Sequence, residues 1–382
     1  MKYREFGKTG KKVSVLGLGC MRLPEKEING EKVIDEKVID EKVAIDMVHY
    51  SIEKGINYFD TAYPYHGGQS EPFLGKALKG FREKVYIASK SPVWKVEKEE
   101  DFDKFLDEQL EKLQTNYIDF YLLHALNKNT WNKCKEFKVF DFIERAKKSG
   151  KIKHIGFSFH DGYDVFEEII NSYDWEFCQI QLNYVDINYQ AGMKGMQIAS
   201  EKDIPVVIME PLRGGMLVNN IPEKVQEIFD SSETKRKPVE WALNWLWDYP
   251  EIKIILSGMS NMEQLKENIE LAEKSSENMF TEKENSLMNE VKQFYDQKML
   301  VKCTSCGYCI PCPQGIPINN VFLFYNETSL FGKYETAKRY YKSLVENGKD
   351  VSKCVECGQC EAACPQNISI IEKLKEAEAA LK

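Results

Sequence analysis

A chain of 382 residues, 43% hydrophobic and 29% charged, is longer than one ordinary domain and carries apolar material for two cores. Its formal net charge of -8 argues against nucleic acid as a partner, because a phosphate backbone selects an excess of Lys and Arg. There is no run of about 18 apolar residues to span a membrane, and the charged start MKYREFGKTGKKVSVLGLG lacks the apolar stretch of a secretory signal. The expectation is therefore a cytoplasmic protein with no membrane partner.

From residue 1 to about 275, short apolar runs alternate with amphipathic stretches. Strands are predicted at 13–20 (VSVLGLGC), 57–62 (NYFDTA), 84–90 (KVYIASK), 117–125 (YIDFYLLHA), 152–159 (IKHIGFSF), 177–184 (FCQIQLNY), 205–211 (PVVIMEP) and 252–258 (IKIILSG). Helical patterns follow them, such as SEPFLGKALKG, DFDKFLDEQLEKLQ and NMEQLKENIELAEK. The last has Ser260 or Asn261 as its N-cap, since a short polar side chain satisfies the open N–H groups of a first turn. Near-continuous apolar strands alternating with helices indicate a parallel sheet covered on its faces. Eight such units in roughly 250 residues is the count of a (β/α)8 TIM barrel. A doubly wound open sheet competes, but the Gly-x-Gly-x-x-Gly fingerprint expected after its first strand is absent. The near-repeat EKVIDEKVIDEKVAID (31–46) reads as a loop extension running into the first helix, and WALNWLWDYP (241–250) as a helix packed on the barrel.

Beyond the barrel, residues 276–302 are polar and then amphipathic, which predicts a linker and a connecting helix. From 303 to 382 the composition shifts to Cys, Pro and Gly, marking a second domain. Of eleven cysteines, Cys20, Cys134 and Cys178 are scattered and eight crowd between Cys303 and Cys364. Disulfides are disfavoured in a reducing compartment, so the crowd reads as metal ligation. The first run is Cys303-x2-Cys306-x2-Cys309-x2-Cys312-Pro, the second Cys354-x2-Cys357-x2-Cys360-x3-Cys364-Pro. A cubane cluster takes three thiolates from one tight turn, whose backbone N–H groups face its sulfides, and a fourth from elsewhere. Where two clusters share a domain, the cysteine before proline in each run ligates the other cluster. That rule predicts two [4Fe-4S] clusters, one on Cys303, Cys306, Cys309 and Cys364, the other on Cys354, Cys357, Cys360 and Cys312. Zinc is the competing ligand, but it favours separated Cys pairs or Cys/His mixtures. The first run departs from the usual bacterial form in having two residues, not three, before its last cysteine. The 41 residues from Pro313 to Lys353 hold helix-compatible stretches, so this domain resembles the alpha-helical ferredoxin type.

Active sites of such barrels form at the C-terminal ends of the strands. There the sequence places Asp60 at the end of the second strand with Tyr65 five residues on, Lys90 at the end of the third and His124 at the end of the fourth. A lone Lys or His at such a place is more often structural, but four proton-transfer groups in a row are a sharper pattern. A neighbouring ammonium stabilises a phenolate, and a carboxylate keeps that ammonium charged and oriented. Such a set can protonate an alkoxide as hydride reaches a carbonyl carbon.

With FDTAYPY, ASK and LLH in this order over nearly all of residues 1–275, the barrel resembles the aldo/keto reductase superfamily. With the appended cysteine runs, it resembles the iron–sulfur subgroup of that family. The resemblance implies Tyr65 as general acid/base, Lys90 and Asp60 tuning it, and His124 positioning the substrate carbonyl. It implies NADP or NAD held by Gly19, Cys20 and Met21 after the first strand and by Ser158 and Gln179 at the carboxamide. Met209 stands where a ring-stacking Tyr is usual; Pro211, Leu212 and Gly214 follow along the pyrophosphate. Gly258, Ser260, Asn261, Gln264 and Asn268 would meet the adenosine, where members that prefer NADP place Lys and Arg. The expected function is NAD(P)-linked interconversion of a small carbonyl or alcohol substrate, with clusters passing electrons to or from a redox protein partner. The alternative is an electron-transfer or redox-sensing module whose barrel binds a cofactor or partner without reducing carbonyls. Cys20 and Cys178 also read as small buried residues, and Arg22 and His160 as groups near the barrel mouth.

Overall fold

The computed structural model describes residues 1–28, 31–32 and 38–382. The loop extension predicted over 31–46 therefore lies partly outside the described residues. The helix it runs into is Glu41–Glu53, capped by Asp40, whose carboxylate accepts from Val43 N at 3.2 Å. The chain forms two compact units. One comprises Met1–Leu182, Asp186–Pro211 and Leu243–Met279; the other comprises Asn183–Val185, Leu212–Ala242 and Phe280–Lys382.

The first unit is a closed parallel barrel of eight strands, here β1 (Leu16–Gly19), β2 (Tyr58–Asp60), β3 (Tyr86–Ser91), β4 (Ile118–Leu126), β5 (Ile152–Phe159), β6 (Phe177–Gln181), β7 (Val206–Met209) and β8 (Ile252–Ser257). They pair in chain order, and β8 closes on β1 through Leu256↔Gly17. The apolar runs form strands because both faces are buried, one by the barrel interior and one by helices. The helix Val139–Lys148 is representative: it buries Val139, Phe142, Ile143 and Ala146, the stripe that a 3.6-residue period places on one side. Gly156 on β5 lets β6 approach closely, since a Cβ there would stand 2.5 Å from the Phe177 carbonyl oxygen.

The structure divides the run predicted as one strand over 13–20. Lys12–Ser14 pairs antiparallel with Tyr3–Glu5 in a hairpin, and only Leu16–Gly19 enters the barrel. The hairpin brings Phe6 and Val13 into a buried cluster with Tyr58, Phe120, Phe177, Val207, Ile254 and Leu256. Phe6 meets Phe120 edge-on at 5.0 Å. Each large apolar side chain so buried contributes about 1.5–3 kcal/mol, and together they make a packed floor.

The second unit has its own core. Helices Ile318–Phe331, Tyr334–Glu346 and Ile370–Leu381 bring together Val321, Phe322, Ala337, Tyr341, Ile370 and Leu374. Gly332 ends the first of them in the left-handed conformation (φ 67°), which glycine adopts without a Cβ penalty. Helix Glu282–Lys298 begins with a capping box between Thr281 and Glu284. No helix among the described residues is long and apolar enough to cross a membrane.

Candidate active site and cysteine centre

At the barrel mouth, Asp60 ends β2, and Tyr65 opens a short turn in which His66 and Gly67 take positive φ (50° and 62°). His66 fixes this turn by accepting from Leu23 N at 3.2 Å. Lys90 points inward from β3 and is fully buried. Its ammonium reaches both Asp60 carboxylate oxygens at 2.7 Å, the Thr61 carbonyl at 2.8 Å and the Tyr65 hydroxyl at 3.4 Å. Three N–H bonds are thus spent on one carboxylate, one carbonyl and one phenol. Burial pushes the Lys90 ammonium down, opposed by Asp60, and pushes the Asp60 carboxyl up, opposed by Lys90. The tight pair keeps both charged, because each is the other's compensation in a desolvated site.

His124, on β4, meets Tyr65 edge-on with ring centroids 6.1 Å apart. Burial, then the Lys90 charge and His160, hold its imidazole well below the ordinary value of 6.5, so it is neutral. Its Nδ1 is buried without a partner among the described residues. Trp94 also packs edge-on against His124 at 5.1 Å and is 39% exposed. The four sequence-predicted side chains therefore converge. Sequence reasoning missed Trp94 and the Thr61 carbonyl. Trp94, four residues past Lys90 on a strand-end loop, carried a readable signal, because loops on a rigid scaffold bear function; the backbone carbonyl carried none.

Apart from two exceptions, the predicted nicotinamide positions fall on strands β1, β5, β6 and β7, on the segments that follow β1, β7 and β8, and on the helix Met262–Lys274. Gly19 pairs with Asp60, and Cys20 N donates to the Asp60 carbonyl at 2.8 Å. The Cys20 thiol is fully buried and pushed up by burial; Met21 is half-buried. Ser158 Oγ accepts from Ala125 N at 2.8 Å. Gln179 lies buried with Nε2 at 3.6 Å from the Met209 sulfur, and its Oε1 has no partner among the described residues. Pro211 is buried at the end of its segment. Gly258 lies under Arg22, whose Cβ and Cδ would stand 3.1 Å from an added Cβ; Arg22 in turn pairs with Glu210 at 3.7 Å. Asn261, not Ser260, caps the helix Met262–Lys274, and Gln264 Oε1 accepts from Ser260 N at 2.9 Å. Asn268 is buried and donates to Ser257 Oγ at 3.0 Å. The exceptions, Leu212 and Gly214, belong to the second unit, where Gly214 takes a positive φ of 65°. Cys178 is a buried β6 residue, its thiol pushed up by burial, and half-buried His160 meets Gln190 at 3.1 Å.

In the second unit, buried polar groups hold the start of each cysteine run. Asn326 accepts from Leu300 N (3.1 Å) and Val301 N (2.9 Å) and returns a bond to the Val301 carbonyl at 2.8 Å, just ahead of Cys303. Tyr341 accepts from Val351 N at 3.3 Å, just ahead of Cys354. Ser305 N points at the Cys303 sulfur at 3.4 Å, as a tight turn around a cluster requires. Burial, reinforced by the thiols of Cys306, Cys303 and Cys364, pushes the Cys309 thiol up to about 12. Cys364 thus faces the first run. Cys312 instead lines a cavity of about 230 Å³ with Cys309, Cys354, Cys357 and Cys360. Among the described residues no three His, Cys, Asp or Glu side chains close on a single metal-ion position. Cys312, Cys354, Cys357 and Cys360 around one cavity are a donor set that suits a cluster, which spreads four thiolates over its corners.

Comparison with known proteins gives two matches along the chain. The sequence profile of the Aldo/keto reductase family covers residues 15–292, and that of a 4Fe-4S dicluster domain covers residues 302–369. L-galactose dehydrogenase of Arabidopsis thaliana is 27% identical over 294 residues, 70% of this chain and 87% of its own. An oxidoreductase of Bacillus subtilis, YqkF, is 25% identical over 77% of this chain and 97% of its own. Among solved structures, the holo form of aldo-keto reductase AKR11C1 from Bacillus halodurans superposes with a TM-score of 0.63 at 26% identity, over 76% of this chain and 96% of its own.

Proposed function

The chain belongs to the aldo/keto reductase family, and from that premise we propose that it interconverts a small carbonyl and its alcohol with NAD(P)(H) in the barrel. We further propose two [4Fe-4S] clusters within residues 303–382, joined to the catalytic residues 1–275 through 276–302, exchanging single electrons with a redox protein in the cytoplasm. One observation carries the catalytic reading: the buried Lys90 ammonium bonded at once to Asp60 and to the Tyr65 hydroxyl.

That bond occupies a lone pair of Tyr65 and leaves its proton for the mouth. When the nicotinamide is bound, it supplies or accepts the hydride. Tyr65 gives its proton to the substrate oxygen in reduction and takes it back in oxidation. The phenolate left behind stands against the Lys90 ammonium, which Asp60 keeps charged. His124, neutral, donates to the same substrate oxygen and orients it. The residues present suit the cofactor: Gln179 Oε1, buried and without a partner among the described residues, is an acceptor for a carboxamide N–H, and Ser158 lies two strands from Met209 in the same wall. Gly19, Cys20, Met21, Pro211, Gly258, Ser260, Asn261, Gln264 and Asn268 are assigned the rest of the cofactor. Cys303, Cys306, Cys309 and Cys364 are assigned one cluster, and Cys354, Cys357, Cys360 and Cys312 the other.

The test is protein purified without oxygen and titrated with NADH and NADPH, with and without short aldehydes, while nicotinamide and cluster absorbance are followed. Aldehyde-dependent nicotinamide oxidation is expected. Its absence with every carbonyl and alcohol tried, alongside nicotinamide binding, would favour a redox module over a reductase.

A further inference from the structure

Behind Lys90, on the helix-facing side of β3, lies a polar network outside the chemistry above. Strand alternation turns Ala88 and Lys90 inward and Ser89 toward the helices. There Glu71, from the helix Ser70–Ala77, is fully buried. Its Oε1 accepts from Ser89 Oγ at 2.6 Å and from Gln109 Nε2 at 2.5 Å. The Gln109 amide also donates to Ser89 Oγ at 3.0 Å and to the Lys90 carbonyl at 3.1 Å. Its orientation is fixed by Tyr121, whose hydroxyl donates to Gln109 Oε1 at 2.7 Å. Glu71 Oε2 has no partner among the described residues.

A buried carboxyl between strands and helices costs free energy unless hydrogen bonds or an opposite charge offset it. Two short bonds on one oxygen are the pattern of charge-assisted bonds to a carboxylate. Burial pushes the Glu71 carboxyl up, opposed by Ser89 and Gln109 and then by the charges of Lys112 and Lys90. For Lys90, burial acts downward; Asp60 opposes it first, then Cys20 and Glu71.

We propose that Glu71 is a positioning residue for Lys90, a second buried anion that supports the ammonium from behind β3 while Gln109 fixes the Lys90 backbone. The inference rests on the reading of Lys90 as the partner of the catalytic Tyr65. The groups facing Lys90 are Asp60 from β2, Tyr65 from the following turn, Cys20 from the loop after β1, His124 from β4 and Glu71 from its helix. Lys112 faces Glu71 from the helix Glu100–Lys112. Asp60 and Glu71 are the carboxylates of this set, so removing the Glu71 charge leaves the ammonium with one.

The experiment uses the full chain with lysine labelled at 15Nζ. The Lys90 ammonium is followed by NMR against pH and assigned by its loss in Lys90→Met. Glu71→Gln keeps an acceptor oxygen and the side-chain size but removes the charge; Ser89→Ala removes one bond and keeps the charge. In Glu71→Gln the Lys90 ammonium should deprotonate about one pH unit lower, roughly a tenfold change in its proton affinity. Ser89→Ala should titrate close to wild type, and the alkaline limb of kcat/KM should follow the same order. Glu71→Gln titrating with wild type, or Ser89→Ala shifting as far, would overturn the proposal and mark Glu71 as a hydrogen-bond acceptor only. Should Glu71→Gln not fold, the Glu71 carboxyl is titrated in wild-type protein by its 13C resonance, assigned by its perturbation in Ser89→Ala. A carboxyl that stays protonated through neutral pH overturns the proposal equally. Neither resonance requires turnover, so failure of carbonyl reduction would count against the reductase reading alone.

Discussion

Tyr65 differs from phenylalanine by the one atom that the Lys90 ammonium touches at the barrel mouth. Tyr65→Phe should therefore abolish carbonyl reduction, by about 10²–10⁴-fold if general acid catalysis is what is lost. Nicotinamide affinity and iron per chain should stay near wild type; wild-type turnover in the variant would remove Tyr65 from the mechanism. The pH dependence follows from Lys90, whose ammonium burial pushes down and Asp60 holds up. The charged form is the active one, so activity is present below its pKa and lost above it. The alkaline limb should fall below the ordinary lysine value of about 10.4, and a limb at or above that value in kcat/KM would contradict the burial argument. His124, held neutral far below 6.5, should add no acid limb near that value; one that vanished in His124→Asn would show otherwise. The meeting of Asp60, Tyr65, Lys90 and His124 was legible in the sequence because these residues sit at or just after strand ends inside short motifs. Glu71 was not, because nothing in SEPFLGKAL says that its carboxyl feels the charge of a lysine on another strand.

The strands were legible as elements because an apolar run buried on two faces has few other solutions. The fault in the 13–20 reading has a physical source. From Val13 to Leu16 the stretch VSVL carries no Gly, Pro, Asn or Asp to mark a break, and the change of partner at Val15 coincides with the tie to Asn57. That side chain accepts from Ser14 N at 2.8 Å and donates to the Lys12 carbonyl at 2.9 Å, from 43 and 45 residues away. A similar long-range tie joins β5, the helix Val139–Lys148 and the start of β6. Glu176 meets His154 Nδ1 at 2.8 Å, Lys147 Nζ at 2.8 Å and accepts from Ile155 N at 3.0 Å. Burial alone would raise this carboxyl, but these partners outweigh it and hold it at about 2, against an ordinary 4.5. A carboxyl whose folded pKa is depressed contributes stability above its unfolded pKa and loses it as pH falls through the folded one. Glu176→Gln should thus destabilise the protein at pH 7 by about 1–2 kcal/mol, after discounting solvent screening. In urea unfolding the deficit should shrink between about pH 4.5 and 2; a deficit constant over that window would show that charge is not what Glu176 supplies.

For the molecule as a whole, residues 212–242 group with the C-terminal stretch although they lie inside the span that reads as barrel; periodicity marks elements but not which core they join. Anaerobic protein should hold about eight irons per chain if two clusters each hold four, and zinc or about four irons would count against the proposed pair. Cys364→Ser should disturb the cluster on Cys303, Cys306 and Cys309, leaving the EPR signal of the other closer to wild type; the reverse pattern would rule out the crossed ligand set. One further consequence belongs to the barrel floor. Phe6, Tyr58, Phe120 and Phe177 close that end with packed rings, and side chains packed at interior density leave little room for water. A proton relay from below would have to pass through that packing to reach Lys90 or Tyr65. On the proposed mechanism, the proton that Tyr65 gives up would then return through the opening by which substrate arrives and product leaves, so that reprotonation would wait for that opening to clear and proton supply would set the order in which the cycle resets.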